Sequence, residues 1–257
     1  MPYALVTGAS KGIGKCIAVQ LAQRGWDLLL VARSEDLLSA LSDQLSMDYK
    51  IRVHFLATDL TRDEAASIVY SWVDGLRINP SMLVNNAGYG LSGSTERYTA
   101  SEYKKMLRIN IITPVELCNL FMAKLRAQER AYIMNIASTA AYQAIPLLNV
   151  YAASKTFILQ YSRALHLELK NTKVSVTCVS PGTTHTNFAQ VAQVSDKAMK
   201  LANKVGMSPE SVARVAVEAT LNGKTEVVVG LMNKLGAFLA WLFPKKIVEM
   251  AAGKIYE

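Results

Sequence analysis

The sequence predicts an α/β fold: one domain built on a doubly wound parallel sheet of about seven strands, with helices on both faces. Short runs rich in Val, Ile and Leu alternate with longer amphipathic stretches along all 257 residues, which is the pattern of strands joined by helical crossovers. Most of the short runs are nearly continuous in apolar residues, as in strands that helices cover on both faces. Hydrophobic residues make up 51% of the chain and no long Pro, Gly or Ser tract divides it, so we predict a single domain over residues 1–257.

Strand and helix signals follow one another along the chain. The predicted strands are residues 3–6, 27–32, 52–57, 82–84, 131–136, 174–178 and 226–229. Helices fill the intervals, and two carry start signals: Thr61 with Glu64 predicts a capping box, and Ser208 before Pro209 predicts an N-cap with proline in the first turn. Right-handed crossovers then place ligands at the carboxyl ends of the strands.

The chain is basic, with 28 Lys and Arg against 20 Asp and Glu and a formal net charge of +8. Such a charge suits nucleic acid, an anionic membrane surface or a phosphate-bearing ligand. The basic residues are scattered over predicted helices, and no nucleic-acid-binding motif is present. We therefore predict no nucleic-acid partner and interpret the charge as a solvated surface, together with a phosphate-bearing ligand.

The cysteines and histidines indicate neither disulfides nor a metal site. The three cysteines are an odd number, far apart and set among apolar neighbours, which is typical of a reducing compartment. The three histidines are dispersed, and no Cys/His spacing has the form of a metal site. The chain opens on a strand-like segment without a basic leader, so we expect a cytoplasmic location.

A glycine-rich loop follows the first predicted strand and leads into a helix. Residues 7–14 read TGASKGIG. Glycines allow the tight turn and the close backbone approach that a pyrophosphate needs, and the helix N-terminus favours negative charge. The spacing differs from the common G-x-G-x-x-G, and a flexible strand-to-helix turn is the alternative, but the context predicts a Rossmann-type dinucleotide site. The predicted contacts are Gly8, Ser10, Lys11, Gly12, Ile13 and Gly14.

The residue after the second predicted strand bears on the choice of cofactor. A site for NAD usually has a carboxylate there to bind the ribose hydroxyls, whereas an arginine accommodates the 2′-phosphate of NADP. This chain has Arg33 at that point, and Lys11 in the glycine loop adds a second cation. A surface arginine is the alternative, but the pair favours NADP(H).

The segment from Tyr151 to Lys155 carries the predicted proton chemistry. The two residues are four apart in a predicted helix, so their side chains share one face. An ammonium beside a phenol stabilises the phenolate and lowers its pKa from about 10. Tyr151 could then act as a general acid and base. Such pairs are common on helix surfaces, but Ser138 follows a strand upstream and Asn110 lies in an intervening helix just before Pro114.

These motifs together resemble the short-chain dehydrogenase/reductase family, in its bacterial branch related to ketoacyl and hydroxysteroid reductases. The resemblance covers essentially the whole chain and rests on residues 7–14, the sequence NNAG at 85–88, Asn110, Ser138, Tyr151 with Lys155, and Pro181 with Gly182. It implies an enzyme that transfers hydride between a nicotinamide and a carbonyl or alcohol. It also implies a homodimer or homotetramer.

The resemblance also assigns roles to residues. Ser138 would orient the substrate oxygen, Tyr151 would exchange its proton, and Lys155 would bind the nicotinamide ribose. Asn110 would hold a water in the proton relay. The implied cofactor contacts beyond the glycine loop are Arg33, Asp59, Leu60, Asn86, Ala87, Gly88, Tyr151, Lys155, Pro181, Gly182, Thr184 and Thr186.

Two segments are expected to bind substrate: the loop between Ser138 and Tyr151, and a loop region over residues 183–207. The candidate contacts are Ser138, Tyr142, Ile145, Leu148 and Phe188. They are mostly apolar and predict a hydrophobic carbonyl or alcohol. The amphipathic tail, residues 234–257, could be a membrane-surface anchor, a lid over the pocket or, as the plainer reading, a packed subunit or core contact.

Three hypotheses about function remain. The first is an NADP(H)-dependent oxidoreductase of hydrophobic carbonyls and secondary alcohols. The second is a 3-oxoacyl-[acyl carrier protein] reductase with a basic docking patch, although a solvated helix face explains that patch equally well. The patch would be Lys104, Lys105, Arg108, Arg126 and Arg130. The third is a non-catalytic NADP-binding regulator, against which the complete Ser, Tyr and Lys set argues.

Overall fold

The computed structural model of the protein describes residues 1–195, 199–200, 204–246 and 248–250. Its centre is a seven-stranded sheet in the order β3-β2-β1-β4-β5-β6-β7, in which all neighbouring strands run parallel. All seven predicted strands are confirmed, with ends displaced by at most two residues. The strands are β1 Tyr3–Thr7, β2 Asp27–Ala32, β3 Val53–Ala57, β4 Met82–Asn85, β5 Ala131–Ile136, β6 Val174–Ser180 and β7 Glu226–Val228.

Helices cover both faces of the sheet, as predicted. They are α1 Gly12–Ala22, α2 Glu35–Tyr49, α3 Ala65–Gly75, α4 Ala100–Leu107, α5 Thr113–Arg126, α6 Asn149–Glu168, α7 Phe188–Val191, α8 Pro209–Leu221 and α9 Leu231–Leu242. One core lies beneath α1, α2 and α8, where Ile17 and Leu38 are fully buried. The other lies beneath α3, α5 and α6, where Val69 and Phe121 are fully buried.

The strand order reverses beside β1, which pairs with β2 on one side and with β4 on the other. At such a switch point the connections leave in opposite directions and open a crevice beyond the carboxyl ends of the strands. The glycine loop after β1 and the NNAG segment after β4 therefore meet at one edge of the sheet.

The two helix starts predicted from caps have different outcomes. The Ser208 side chain accepts a hydrogen bond from the Ser211 N–H with Pro209 in the first turn of α8, as predicted. The predicted capping box of Thr61 and Glu64 is wrong. The Thr61 hydroxyl donates to Asp59 at 2.9 Å, and Glu64, itself the N-cap of α3, makes no side-chain cap bond. The nearer carboxylate of Asp59 captures the threonine, which removes it from the helix end.

The helical run Ala100–Arg126 combines α4, a π-helical turn over Arg108–Ile112, and α5. By length and composition it could cross a membrane. In this fold its residues Leu117, Phe121 and Leu125 are buried against the sheet. The same length and composition are therefore also those of a helix in the protein core. The π-helical turn carries Asn110, and such turns are frequent at functional sites.

Candidate active site

A cavity of about 980 Å³ opens at the carboxyl edge of the sheet. The glycine loop, the segments after β2, β3, β4, β5 and β6, and one side of α9 contribute to its walls. It brings together 22 of the sequence-predicted site residues: Gly8, Ser10, Lys11, Gly12, Ile13, Gly14, Arg33, Leu60, Asn86, Ala87, Gly88, Ser138, Tyr142, Ile145, Leu148, Tyr151, Lys155, Pro181, Gly182, Thr184, Thr186 and Phe188. Asn110 and Asp59 lie outside its lining.

Tyr151 and Lys155 lie on the cavity-facing side of α6. Both are almost fully buried, with 7% and 5% of their surfaces exposed. The Lys155 ammonium nitrogen lies 5.8 Å from the centre of the Tyr151 ring. The predicted i, i+4 pair is thus formed, and it is desolvated instead of standing on a solvated helix face.

The Lys155 ammonium donates a hydrogen bond to the carbonyl oxygen of Ile136, at the end of β5, at 2.9 Å. Burial lowers the pKa of Lys155 from 10.5 to about 8, against a smaller opposing effect of Cys178. At neutral pH the Lys155 ammonium therefore carries its charge, although burial removes it from water and makes the charged form less favourable.

Ser138 lies two residues after the end of β5 and caps a 3-10 turn over Thr139–Tyr142. Its hydroxyl oxygen accepts a hydrogen bond from the Ala140 N–H at 3.1 Å. This bond ties the side chain to a short turn at the carboxyl end of a central strand. Ser138 and Tyr151, which come from different elements, therefore line the same cavity.

Asn110 lies outside the cavity lining, where its side chain bonds two segments of the wall together. Its amide oxygen accepts from the Tyr89 N–H at 3.1 Å, and its amide nitrogen donates to the Tyr89 carbonyl at 2.9 Å and to the Ser154 hydroxyl at 3.0 Å. Ser154 in turn donates to the Tyr151 carbonyl. Asn110 thus joins the β4 loop to the turn of α6 that carries Tyr151. Its implied role in holding a water stays a prediction.

The glycine loop is packed too closely for side chains. Gly8 has a φ of +66° and Gly12 a φ of +55°, a region that favours glycine. A Cβ on Gly14 would lie 2.2 Å from the Gly8 oxygen and 2.4 Å from the Asn86 amide nitrogen. Asn86 secures the loop by donating to the Thr7 carbonyl at 2.9 Å.

The loop leads to the N-terminus of α1, whose N-cap Lys11 makes no side-chain cap bond. The N–H groups of the first helical turn therefore face the cavity without a capping side chain. Such an end binds phosphate through its N–H groups and its dipole. The residues present thus fit the diphosphate of a dinucleotide.

The far end of the cavity is cationic. Arg33 follows β2 and is exposed, and it lines the cavity together with Lys11 and Lys15. Burial raises the pKa of Asp59, but hydrogen bonds from Thr61 and the positive charges of Arg33 and Lys105 hold it below its ordinary value overall. Both Thr61 bonds go to one oxygen of Asp59, and the implied contact of Asp59 with adenine stays a prediction.

The predicted substrate residues form an apolar wall beside Tyr151. Ile145 and Leu148 are buried within a cluster that also contains Tyr151, and the Phe188 ring centre lies 5.2 Å from that of Tyr151. The ring of Tyr142 lines the cavity, but its hydroxyl is directed to Glu226 at 2.5 Å and to Ser180 at 3.2 Å. Tyr142 therefore offers its ring to the cavity, while its hydroxyl is already bonded within the protein.

One wall comes from the C-terminal tail, for which a lid over the pocket was only one of three readings and none of whose residues was predicted as a site residue. Helix α9 contributes Met232, Asn233, Gly236, Ala237 and Ala240 to the cavity lining. A Cβ on Gly182 would lie 2.4 Å from the Asn233 amide nitrogen, so the helix packs directly against the Pro-Gly turn after β6. The spacing of small residues in the tail was the available signal. Residues 251–257 of the predicted tail and parts of the predicted 183–207 loop lie outside the described residues.

Comparisons with known proteins agree with this site. The family model for short chain dehydrogenases matches residues 2–197. Human very-long-chain 3-oxoacyl-CoA reductase is 28% identical over 264 residues, which cover 96% of this chain and 79% of that protein. A short-chain dehydrogenase from Sphingobium yanoikuyae, solved in complex with NADPH, is 27% identical with a TM-score of 0.80, over 94% of this chain and 93% of that one.

A structure from a study of 7beta-hydroxysteroid dehydrogenase stereoselectivity has a TM-score of 0.87 at 23% identity, over 98% of this chain and 96% of the other, and shares the fold. The fold and the site thus define a nucleotide-dependent oxidoreductase of carbonyl and alcohol groups with a nicotinamide cofactor. The chain belongs to the short-chain dehydrogenase family, as its motifs predicted.

Proposed function

We propose that this protein is an NADP(H)-dependent oxidoreductase that interconverts a carbonyl and a secondary alcohol on a hydrophobic small molecule, with Tyr151 as the general acid and base. The observation that carries the proposal is the common cavity. Ser138, Tyr151 and Lys155 line it beside an apolar wall, and Arg33 with Lys11 lines its far end.

In reduction the protein's own residues bind the substrate oxygen and supply its proton. Ser138 and Tyr151 donate hydrogen bonds to the substrate oxygen, and they bind it more strongly as negative charge develops there. Tyr151 then gives its proton to that oxygen, and in oxidation it takes the proton back. When bound, the nicotinamide exchanges a hydride with the substrate carbon, which is chemistry that protein side chains lack.

Lys155 supplies the charge that this cycle needs. Its pKa of about 8 leaves the ammonium protonated at neutral pH, and it stands beside the Tyr151 ring in a desolvated site. In such a site a positive charge stabilises a phenolate far more than it would in water. The same ammonium is suited to bind a ribose hydroxyl, as the family resemblance implies.

The preference for NADP(H) is supported by the charges at the end of β2. Arg33 and Lys11 offer two cations to a 2′-phosphate, and guanidinium binds phosphate in a bidentate manner. The nearest carboxylates after Arg33 are Glu35 and Asp36, which lie in the first turn of α2, where acidic side chains suit the helix dipole. The relative solved with NADPH supports the same choice.

The apolar wall of Ile145, Leu148 and Phe188 supports a hydrophobic substrate. A 3-oxoacyl thioester reductase is the second candidate, and the name of the human relative favours it. The basic patch proposed for carrier docking gives it less support, because Arg108 pairs with Asp63 and Glu116 and Arg130 donates to the Leu221 carbonyl. A non-catalytic regulator would have no use for the desolvated Tyr151 and Lys155 pair.

The test is turnover by the purified protein with NADPH or NADH and a panel of aliphatic ketones, steroid ketones and 3-oxoacyl thioesters, followed by cofactor fluorescence. We expect NADPH-dependent turnover of hydrophobic ketones. Activity confined to carrier-linked thioesters would support the second candidate, and faster turnover with NADH would contradict the assigned cofactor. A homodimer or homotetramer and a cytoplasmic location stay predictions.

A further inference from the structure

Helix α9 presents an apolar face to solvent. Its inward side, with Asn233, Ala237 and Ala240, lines the cavity, and the opposite side points outward. Each of its twelve residues, all within the described ranges, remains at least partly exposed. The outward residues include Leu231, Leu235, Phe238, Leu239, Trp241 and Leu242. Contiguous exposed surface of this kind usually marks an interface.

The outward face of α9 combines aromatic side chains with flanking lysines. The Phe238 and Trp241 rings are in contact, with centres 5.9 Å apart, and Trp241 is 78% exposed. The helix contains one charged residue, Lys234, and exposed Lys245 and Lys246 follow its end. The segment from residue 230 to 248 contains no Asp or Glu. An apolar face with an aromatic pair and a rim of lysines is the composition of a helix that lies in a membrane interface.

We propose that the outward face of α9 docks onto an anionic lipid surface. The apolar and aromatic side chains would enter the boundary of the acyl chains, and Lys234, Lys245 and Lys246 would meet the lipid phosphates. A second copy of the chain fits less well, because a two-fold contact through α9 adds the lysines of the second copy to those of the first and supplies no carboxylate from residues 230–248 to pair with them. The charge complementarity therefore selects the lipid surface.

Docking in this orientation has a consequence for access to the cavity. With its outward face in the lipid and its inward face lining the cavity, α9 alone would lie between the lipid and the cavity. If the proposed function holds, a hydrophobic substrate could pass from the lipid to Tyr151 along the edge of α9. The docking itself rests on the surface of α9 alone, so it can be tested without any turnover.

The experiment is flotation of the full chain with vesicles of phosphatidylcholine alone or mixed with an equal part of phosphatidylglycerol. We expect the protein to float with the mixed vesicles and the combined variant Phe238→Glu with Trp241→Glu to remain unbound. Lys245→Ala with Lys246→Ala should weaken binding to the mixed vesicles about 25-fold, since each lysine contributes about fivefold. High salt should weaken the wild type in the same direction.

Met47→Glu is the matched control, because Met47 is a 69% exposed apolar residue on α2; it should float like the wild type. Each variant is checked for folding by thermal unfolding and for NADPH binding by fluorescence. Failure of the wild type to float with mixed vesicles would overturn the proposal, as would normal flotation of the combined Phe238 and Trp241 variant. A wild-type dimer that this variant converts to a monomer, without flotation of either, would assign α9 to a second copy instead.

Discussion

The ammonium nitrogen of Lys155 lies 5.8 Å from the centre of the Tyr151 ring, at a position where both side chains are almost fully buried. A cation in such a place destabilises the fold unless it is bonded, and here it donates to the Ile136 carbonyl. The buried charge of Lys155 therefore lowers the stability of the fold, but it lies where it can act on the Tyr151 phenol. This effect of the charge should be measurable in the dependence of stability on pH.

We predict that Lys155 makes the protein more stable as pH rises above about 8. The folded pKa, lowered by burial to about 8, lies below the ordinary value of 10.5, so between these values the unfolded chain holds a proton that the folded chain has lost. The free energy of unfolding therefore increases with pH in this window, by roughly 3 kcal/mol in all.

The measurement is urea unfolding of the cofactor-free protein and of Lys155→Met between pH 7 and pH 10. Groups that do not interact with Lys155, such as the buried Cys118, titrate in both proteins, so their contributions cancel in the difference. The stability of the wild type relative to the variant should rise across the window. A constant difference would mean that Lys155 is not desolvated as described.

Arg33 and Lys11 should determine the preference for NADPH. Replacing Arg33 by Ala should raise the KM for NADPH about tenfold or more, since a hydrogen bond to a charged group contributes about 1.5–3 kcal/mol. The KM for NADH should change little, because that cofactor lacks the 2′-phosphate. Arg24→Ala, at an exposed arginine bonded to Gln20 on α1, is the matched control. Equal losses for both cofactors would refute the assignment.

Gly14 should tolerate no side chain. A Cβ there would meet the Gly8 oxygen at 2.2 Å and the Asn86 amide at 2.4 Å, so Gly14→Ala should destabilise the protein by about 1–3 kcal/mol or more. Gly75 is also in a helix, but a Cβ at that residue would meet nothing within 4 Å, and Gly75→Ala should be neutral or slightly stabilising. Thermal unfolding of both variants measures the contrast, and equal effects would contradict the packing.

The inward side of α9 should limit the size of the substrate. Ala237→Phe adds a ring to the cavity wall, so kcat/KM should fall for bulky ketones and change less for small ones. Leu235→Phe enlarges a residue of the same helix that is outside the cavity lining, and it should leave the ratio unchanged. The relative kcat/KM of a large and a small substrate is the quantity to measure. An unchanged ratio in Ala237→Phe would remove α9 from the substrate wall.

Local patterns predicted much of this protein. Continuous apolar runs, such as residues 28–32 of β2, identify buried strands because helices cover both faces, and the strand order then sets where loops meet. The glycine loop and Ser138 lie next to strand ends, and Tyr151 and Lys155 are an i, i+4 pair within one helix. These features depend on residues close together in sequence, which is why the sequence alone could indicate them.

Other features depend on which of several hydrogen-bond partners a side chain binds, and some of these partners are distant in sequence. The Tyr142 hydroxyl is bonded to Glu226, 84 residues away, and no local pattern contains that contact. Thr61 matched a capping box, but Asp59 captured its hydroxyl, while an actual capping box formed at Thr99 and Glu102. The cavity wall of α9 depends on the path of the chain after β7. Such outcomes are decided by packing, which a local sequence pattern does not contain.

The most direct test of the proposed mechanism is the turnover of Tyr151→Phe with NADPH and the best ketone of the panel. Removal of the phenolic proton should lower kcat by about 10²–10⁴-fold, while the Kd for NADPH, measured by fluorescence, should change far less because Tyr151 is only one of many implied cofactor contacts. Tyr161→Phe, on the same helix and outside the cavity lining, is the control and should remain active. A Tyr151→Phe enzyme with wild-type kcat would contradict the proposed proton transfer.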